Sequence, residues 1–212
     1  MGTPVRLDGC QITSQQMGPA LADLEPKDMK PPPAVSALVL ASGLSRRFGL
    51  DDKLMTPLWG KPLAAHIADT LRTVPLKQRI AVYSNPAVAT LFEDFELAHN
   101  EQPERGMGYA LRLGLERAQA PFVLICLADM PRVSGELLRR LCSGADAGGM
   151  VSSSDDYLGP PALIARQSML DLPLDGDQGA RALLQGLPRL HVDASELLDV
   201  DSQADWRRLS EN

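Results

Sequence analysis

Residues 35–43 read VSALVLASG, and this stretch decides the fold. It is a short apolar run that ends in small residues, which is typical of a strand buried on both faces of a parallel sheet and followed directly by a turn. Further short apolar runs alternate with amphipathic stretches along the chain. This alternation predicts a single layered α/β domain with a mostly parallel sheet.

The expected elements follow from the spacing of apolar residues, which form short continuous or alternating runs in strands and recur every three to four residues in helices. Strands are predicted at residues 35–41, 79–84, 122–128, 149–153 and 162–165, with a final polar strand near 198–201. Helices are predicted at residues 61–73, 107–118, 135–141, 180–187 and 204–209. Residues 1–33 hold six of the 17 prolines and no sustained apolar period, so we expect a disordered proline-rich tail before a domain at 34–212.

Composition and charge exclude several classes of protein. The chain has 212 residues, 44% of them hydrophobic, which suffices for one sizeable core. Its 21 Lys and Arg against 27 Asp and Glu give a formal charge of −6, which argues against a nucleic acid partner. No apolar run approaches the roughly 18 residues that span a membrane, and the three cysteines lack metal-binding spacing. We expect a cytoplasmic protein without a structural metal.

A glycine-rich loop follows the first strand: residues 40–49 read LASGLSRRFG and lead to Lys53. Backbone N–H groups at such a strand end form a concave array that binds polyphosphate oxygens, and Gly43 would let the chain turn sharply and approach a ligand closely. Arg47 and Lys53 would add positive charge over the same phosphates. The alternative is an ordinary strand-to-helix turn with surface basic residues, since neither the P-loop nor the dinucleotide-binding spacing occurs.

One acid stands at the end of the most apolar run. Residues 122–128 read FVLICLA and precede Asp129, which places this carboxylate at the carboxyl edge of the sheet, where open α/β sheets bind ligands. Magnesium commonly takes one or two protein carboxylates and completes its shell with water and phosphate oxygens. Asp129 is therefore a candidate Mg²⁺ ligand, with a turn aspartate before Pro131 as the alternative.

Several ordered motifs together resemble the MobA-like nucleotidyltransferases, and most of all the molybdenum cofactor cytidylyltransferases. They are LASGLSRRFG with Lys53 and PLWGKPL (57–63), GMG (106–108), LADMP (127–131), GPPA (159–162), GDQGAR (176–181) and DVDSQAD (199–205). The resemblance implies a Rossmann-like three-layer domain with one antiparallel strand. It also implies a Mg²⁺-dependent transfer of CMP from CTP to the terminal phosphate of a molybdopterin-type cofactor, with a molybdenum hydroxylase as the enzyme served.

The resemblance also assigns roles to individual residues. Catalysis falls on Arg47, Lys53 and Asp129, and metal binding on Asp129 and Asp201. Nucleotide binding falls on Leu40, Ala41, Ser42, Gly43, Arg47, Lys53, Gly106 and Gly108. Acceptor binding falls on Gly159, Asp177 and Arg181.

Departures from the family pattern leave alternatives open. Ser42 stands where cytidylyl members carry Ala and guanylyl members Gly, so a guanylyltransferase is one alternative. Tyr109 replaces a small residue and could stack on a base, and Asp201 or Ser202 could cap the final helix. Pro160 replaces His or Asn, which leaves a different phosphorylated acceptor open. A non-catalytic carrier that delivers the cofactor to a molybdoenzyme is the alternative from another class.

Overall fold

The computed structural model describes residues 34–44, 48, 52–174 and 181–211. The predicted tail, residues 1–33, lies outside these ranges, as do Arg47 and Asp177. The backbone of Arg181 begins a helix, but its side chain also lies outside the description. Within the described ranges, no helix is both long and apolar enough to cross a membrane.

The strands build a mixed sheet. In chain order they are β1 (Val35–Ala41), β2 (Pro57–Leu58), β3 (Lys61–Pro62), β4 (Gln78–Tyr83), β5 (Glu96–His99), β6 (Phe122–Leu127), β7 (Gly149–Ser153), β8 (Leu158–Ala165) and β9 (Arg189–His191). In the described part of the chain, seven of them join in the order β5-β4-β1-β6-β8-β7-β9, and β2 pairs with β3. β8 runs antiparallel to β6 and β7, whereas the other neighbours in the sheet are parallel. The expected sheet with one antiparallel strand is confirmed.

Helices connect the strands. They are α1 (Leu63–Arg72), α2 (Pro86–Ala89), α3 (Met107–Leu115), α4 (Gly135–Cys142), α5 (Arg166–Leu170), α6 (Arg181–Gly186) and α7 (Gln203–Ser210). Short 3₁₀ helices occupy Lys53–Met55, Thr90–Phe92, Pro103–Arg105, Ser143–Ala147 and Ala194–Leu197.

Both faces of the sheet are covered, which makes the domain three-layered. Side chains along β1 alternate between two apolar clusters. Ala37 and Val39 belong to a cluster that includes residues of α1 and α4, and Leu38 belongs to one that includes residues of α3 and α6. Because β1 is buried on both faces, nearly all its residues are apolar.

Helix α3 lies close to β1 at Gly114. A Cβ atom at Gly114 would lie 2.1 Å from Cδ1 of Leu38. A larger residue would therefore push the helix away from the strand or force Leu38 to move. Gly114 thus permits close packing of α3 against the strand that leads into the glycine-rich loop.

Some predicted elements are wrong. Residues 198–201 do not form a strand; instead the N–H of Val200 donates to the carbonyl oxygen of Asp129 over 3.0 Å. The helix expected from residue 61 begins at Leu63, because Lys61–Pro62 pairs with Pro57–Leu58 in a hairpin. The two turn residues of this hairpin, Trp59 and Gly60, have φ of 47° and 83°, as type I′ turns require.

Candidate functional site

A cavity of about 400 Å³ lies at the carboxyl ends of β1 and β6. β1 pairs with β4 on one side and with β6 on the other, so the strand order changes direction between β1 and β6. Open α/β sheets bind ligands at such a switch point. Many of the predicted site residues line the cavity together. The lining includes Leu40, Ser42, Gly43, Lys53, Gly106, Met107, Ala110, Asp129 and Asp201.

Gly43 presents open space beside its backbone. A Cβ atom at this position would meet nothing within 4 Å in the described part of the chain. Its φ lies outside the left-handed region, so the sharp turn expected of this glycine does not explain its presence. This geometry would allow a ligand to approach the backbone closely, and nucleotide binding at Gly43 stays a prediction.

Ser42 is held by Asn100, a residue that sequence reasoning missed. Oδ1 of Asn100 accepts the N–H of Gln102 over 3.0 Å. The amide nitrogen Nδ2 therefore faces Ser42 and donates to its Oγ over 3.1 Å. Ser42 Oγ acts as the acceptor in this bond and retains its own proton for another acceptor. Both residues are buried, and an isolated asparagine after a short edge strand gives little signal in the sequence.

Lys53 is placed by the 3₁₀ helix Lys53–Met55. Asp52 caps this helix, because its Oδ1 accepts the N–H of Leu54 over 3.0 Å. Its Oδ2 accepts from Nδ2 of Asn85 over 2.8 Å, which ties the helix to the loop after β4. The backbone that carries Lys53 is thus fixed from two sides.

Three charged side chains meet in the cavity. Nζ of Lys53 lies 2.7 Å from Oδ2 of Asp129 and 3.3 Å from Oδ1 of Asp201. Burial acts to lower the pKa of Lys53, but the two carboxylates together outweigh burial and the pKa is raised. The sequence predicted that the ammonium lies over phosphates, and the structure places it between two carboxylates.

Asp199 is a third acid near this group and was not predicted. Burial, followed by the negative charges of Asp129 and Asp201, raises the pKa of Asp199. Burial and then the charges of Asp199 and Asp129 also raise the pKa of Tyr157. The sequence could have indicated Asp199 as a site residue, because it lies two residues before Asp201 and residues two apart share a face in an extended segment.

The acids suit a hard divalent cation. Among the residues that the structure describes, Oδ1 of Asp129 is buried and has no hydrogen-bond partner. Such an oxygen calls for an ion or a water molecule. No group of three or more His, Cys, Asp or Glu side chains in the described ranges forms a metal site. Asp129 and Asp201 fit the predicted Mg²⁺, and their role as ligands stays a prediction.

Ser202 caps α7, and Asp201 does not. Oγ of Ser202 accepts the N–H of Asp205 over 3.2 Å, and Oδ2 of Asp205 accepts the N–H of Ser202 over 2.9 Å. This reciprocal pair is a capping box. Asp201 instead faces Lys53. Of the two residues that the sequence offered as the cap of the final helix, Ser202 is therefore the one that caps it.

We expect Asp205→Ala to lower the free energy of unfolding by about 1 kcal/mol, because it removes half of the capping box. The hydrogen bond from the Ser202 side chain lowers the pKa of Asp205. Its contribution is therefore complete above the unfolded-state pKa of about 3.9 and is lost as the pH falls through the lowered pKa. Urea unfolding at neutral and at strongly acid pH measures both effects.

Ser202→Ala is the matched control for this prediction. It should lower the free energy of unfolding by a similar amount. The double variant should lose less than the sum of the two single losses, because both substitutions remove the same reciprocal hydrogen bonds. Equal stability of Asp205→Ala and the unmutated chain at neutral pH would contradict the capping role.

The start of α3 forms one side of the cavity. Gly106, which precedes the helix, has a φ of 84°, a conformation that favours glycine. Tyr109 is engaged elsewhere, since the guanidinium carbons of Arg105 and Arg112 lie 4.0 and 4.9 Å from its ring centre. Tyr109 is not among the described residues that line the cavity, and its stacking on a base stays a prediction.

Among the predicted site residues that the structure describes in full, three lie outside the cavity lining. Ala41 and Gly108 are buried and do not reach the cavity surface in the described chain. Gly159 lies in β8, where a Cβ atom would lie 2.6 Å from the hydroxyl of Tyr157. Packing against Tyr157 therefore explains this glycine, and its role in acceptor binding stays a prediction.

Comparison with known proteins identifies similar sequences. The family model for the MobA-like NTP transferase domain matches residues 37–193 of this sequence. A Chloroflexus aggregans protein named "Probable molybdenum cofactor guanylyltransferase" is 32% identical over 173 residues, 79% of this chain and 79% of that protein. Nicotine blue oxidoreductase from Paenarthrobacter nicotinovorans is 26% identical over 188 residues, 82% of this chain and 92% of that protein. The chain spans only 25% and 24% of two GlmU proteins that it also matches.

Solved structures share the fold. Rv0371c from Mycobacterium tuberculosis has a TM-score of 0.75 and 29% identity, with 85% of this chain and 98% of that chain covered. The same protein in complex with manganese has a TM-score of 0.71 and 26% identity, with 84% and 99% covered.

Proposed function

This chain belongs to the MobA-like NTP transferase family, and we propose that it transfers a nucleotidyl group from a nucleoside triphosphate to a phosphorylated acceptor. One observation carries this proposal: the Gly43 backbone, the Lys53 ammonium and the Asp129 carboxylate line a single cavity. Its volume of about 400 Å³ falls in the usual range for small-molecule sites.

In the proposed reaction, an oxygen of the acceptor's phosphate attacks the α-phosphorus of the triphosphate. The bond from the α-phosphorus to the oxygen that bridges to the β-phosphate breaks, and pyrophosphate leaves with the electron pair. An ionised phosphate is already a nucleophile, so the chain needs no general base. Its residues instead position the reactants and neutralise charge. Backbone N–H groups near Gly43 hold the triphosphate, and Lys53 supplies positive charge, together with the predicted Arg47.

We propose Asp129 and Asp201 as ligands of Mg²⁺. Bound there, the ion would neutralise charge on the α-phosphate and on the leaving pyrophosphate. Support comes from the buried Oδ1 of Asp129, which lacks a hydrogen-bond partner among the described residues. The manganese complex of Rv0371c adds to it, because Mn²⁺ and Mg²⁺ share a preference for oxygen ligands.

The nucleotide that we propose is CTP. Ser42 lines the cavity, and its Cβ atom and hydroxyl take up space that a glycine would leave for a larger purine. The relative named as a guanylyltransferase supports nucleotidyl transfer and leaves GTP as the alternative.

Ser42→Gly is expected to shift the ratio of kcat/KM for CTP over GTP toward GTP by about tenfold, or ~1.4 kcal/mol. The substitution widens the pocket and removes the acceptor of the Asn100 amide. Steady-state kinetics with both nucleotides and one acceptor give the ratio. Ser42→Ala keeps the Cβ atom and should stay nearer the unmutated ratio. A GTP preference of the unmutated protein would contradict the choice of CTP.

The acceptor that we propose is a molybdopterin-type cofactor destined for a molybdenum hydroxylase, in the cytoplasm. The name of the Chloroflexus aggregans relative supports a molybdenum cofactor substrate. Another phosphorylated acceptor and a non-catalytic carrier are the alternatives. The test is whether the protein releases pyrophosphate only when molybdenum cofactor is present. A non-catalytic carrier would release no pyrophosphate, and an enzyme for another acceptor would not require the molybdenum cofactor.

A further inference from the structure

The ammonium of Lys53 lies where a cation that bridges two carboxylates would lie. It is within hydrogen-bond distance of Oδ2 of Asp129 and Oδ1 of Asp201, at 2.7 and 3.3 Å. The side chains of Lys53 and Asp129 are only 10% and 17% exposed, so water and salt screen this contact poorly, whereas the side chain of Asp201 is 51% exposed. A positive charge of the chain itself thus already offsets part of the negative charge of the two acids.

We propose that Lys53 competes with the divalent cation for Asp129 and Asp201, and that a bound triphosphate ends this competition by drawing the ammonium away. The inference rests on the proposed function for the identity of the metal ligands. An ammonium and a divalent ion cannot both sit between the same two acids without strong repulsion. The lysine stem is flexible enough to move its charge between neighbouring anions.

The cavity itself supplies the second position of the ammonium. Lys53 and Gly43 line the same space, so a triphosphate held by the backbone near Gly43 would present anionic oxygens to Lys53. When the ammonium turns to those oxygens, it no longer lies between the two carboxylates, where the metal ion would bind. Oδ1 of Asp129 is buried and has no hydrogen-bond partner in the described residues, so this oxygen keeps an acceptor site that Lys53 does not use.

This exchange gives Lys53 a positioning role besides that of a phosphate contact. Metal binding to the free protein is expected to be weak, and triphosphate binding is expected to strengthen it. Metal and nucleotide would therefore enter the site together.

Mn²⁺ alone, with no nucleotide, is the probe that separates this role from simple phosphate binding. Lys53→Met should lower the Kd for Mn²⁺ about tenfold or more, because it removes the competing charge. Isothermal titration or the electron paramagnetic resonance of free Mn²⁺ measures the affinity. Lys53→Arg keeps the charge and should retain weak binding. Lys61→Met is the matched control, since Lys61 pairs with Asp69 outside the cavity lining, and its Kd should match that of the unmutated protein.

Unchanged or weaker Mn²⁺ binding by Lys53→Met would overturn the proposal, as would binding that survives in the double variant with Asp129→Asn. If Lys53→Met fails to fold, Lys53→Gln serves the same purpose and is held to the same outcomes. Because the titration contains no nucleotide or acceptor, a protein that releases no pyrophosphate can still show the gain in affinity. If Lys53→Met does not bind Mn²⁺ more tightly, the competition is contradicted but the proposed transfer reaction is not.

Discussion

Asp129→Asn is expected to lower kcat by about 10²- to 10³-fold, the usual cost of removing one electrostatic group that stabilises the transition state. The amide has almost the same size as the carboxylate and can still accept a hydrogen bond from Lys53. It carries no negative charge, however, and the buried position of Oδ1 would no longer favour a cation. The Mg²⁺ concentration for half-maximal turnover should rise together with the loss of kcat.

Asp146→Asn is the control for this loss. Asp146 is an exposed acid in the 3₁₀ helix Ser143–Ala147, outside the cavity lining, so its substitution should leave both kinetic values unchanged. Thermal unfolding shows whether each variant is folded. Near-normal turnover of a folded Asp129→Asn protein would contradict the role of Asp129.

Gly43→Val is expected to preserve the fold and to lower kcat/KM by on the order of 10²-fold, the effect of displacing a reactant by about 1 Å. The side chain would enter open space rather than the core, since a Cβ atom at Gly43 meets no described atom within 4 Å. A triphosphate that approaches the backbone there would be pushed away from the N–H groups and from Asp129. Kinetics and thermal unfolding together measure this separation of activity from stability.

Gly186→Val provides a matched control for Gly43→Val. A Cβ atom at Gly186 also meets nothing within 4 Å in the described residues, but this glycine ends α6 and does not line the cavity. Its substitution should leave kcat/KM unchanged. If Gly43→Val keeps normal kinetics, the loop does not approach the nucleotide as proposed.

The sheet and one catalytic candidate were predictable because their signals are local. β1 and β6 are buried on both faces, so each is a continuous apolar run with a clear end. Asp129 stands two residues after β6, at the carboxyl edge. The strand β5 was missed because its four residues, Glu96–His99, are half polar and lie at the sheet's edge.

The contacts inside the cavity could not be predicted from local pattern. Lys53 meets Asp129 across 76 positions of sequence and Asp201 across 148. Asn100 reaches Ser42 across 58. Such pairs depend on how the strands are ordered in the sheet, and hydrophobic periodicity carries no information about that order. The family resemblance identified both Lys53 and Asp201 as site residues. It assigned Lys53 to the triphosphate and Asp201 to the metal ion, and did not predict their contact with each other.

Pyrophosphate release on mixing the protein with Mg²⁺, CTP and molybdenum cofactor tests the proposed transfer most directly. We expect pyrophosphate in an amount equal to the nucleotidylated cofactor formed, and none when the acceptor or Mg²⁺ is omitted. Folded protein that binds the cofactor but releases no pyrophosphate with CTP or GTP would contradict nucleotidyl transfer to this acceptor and favour the carrier.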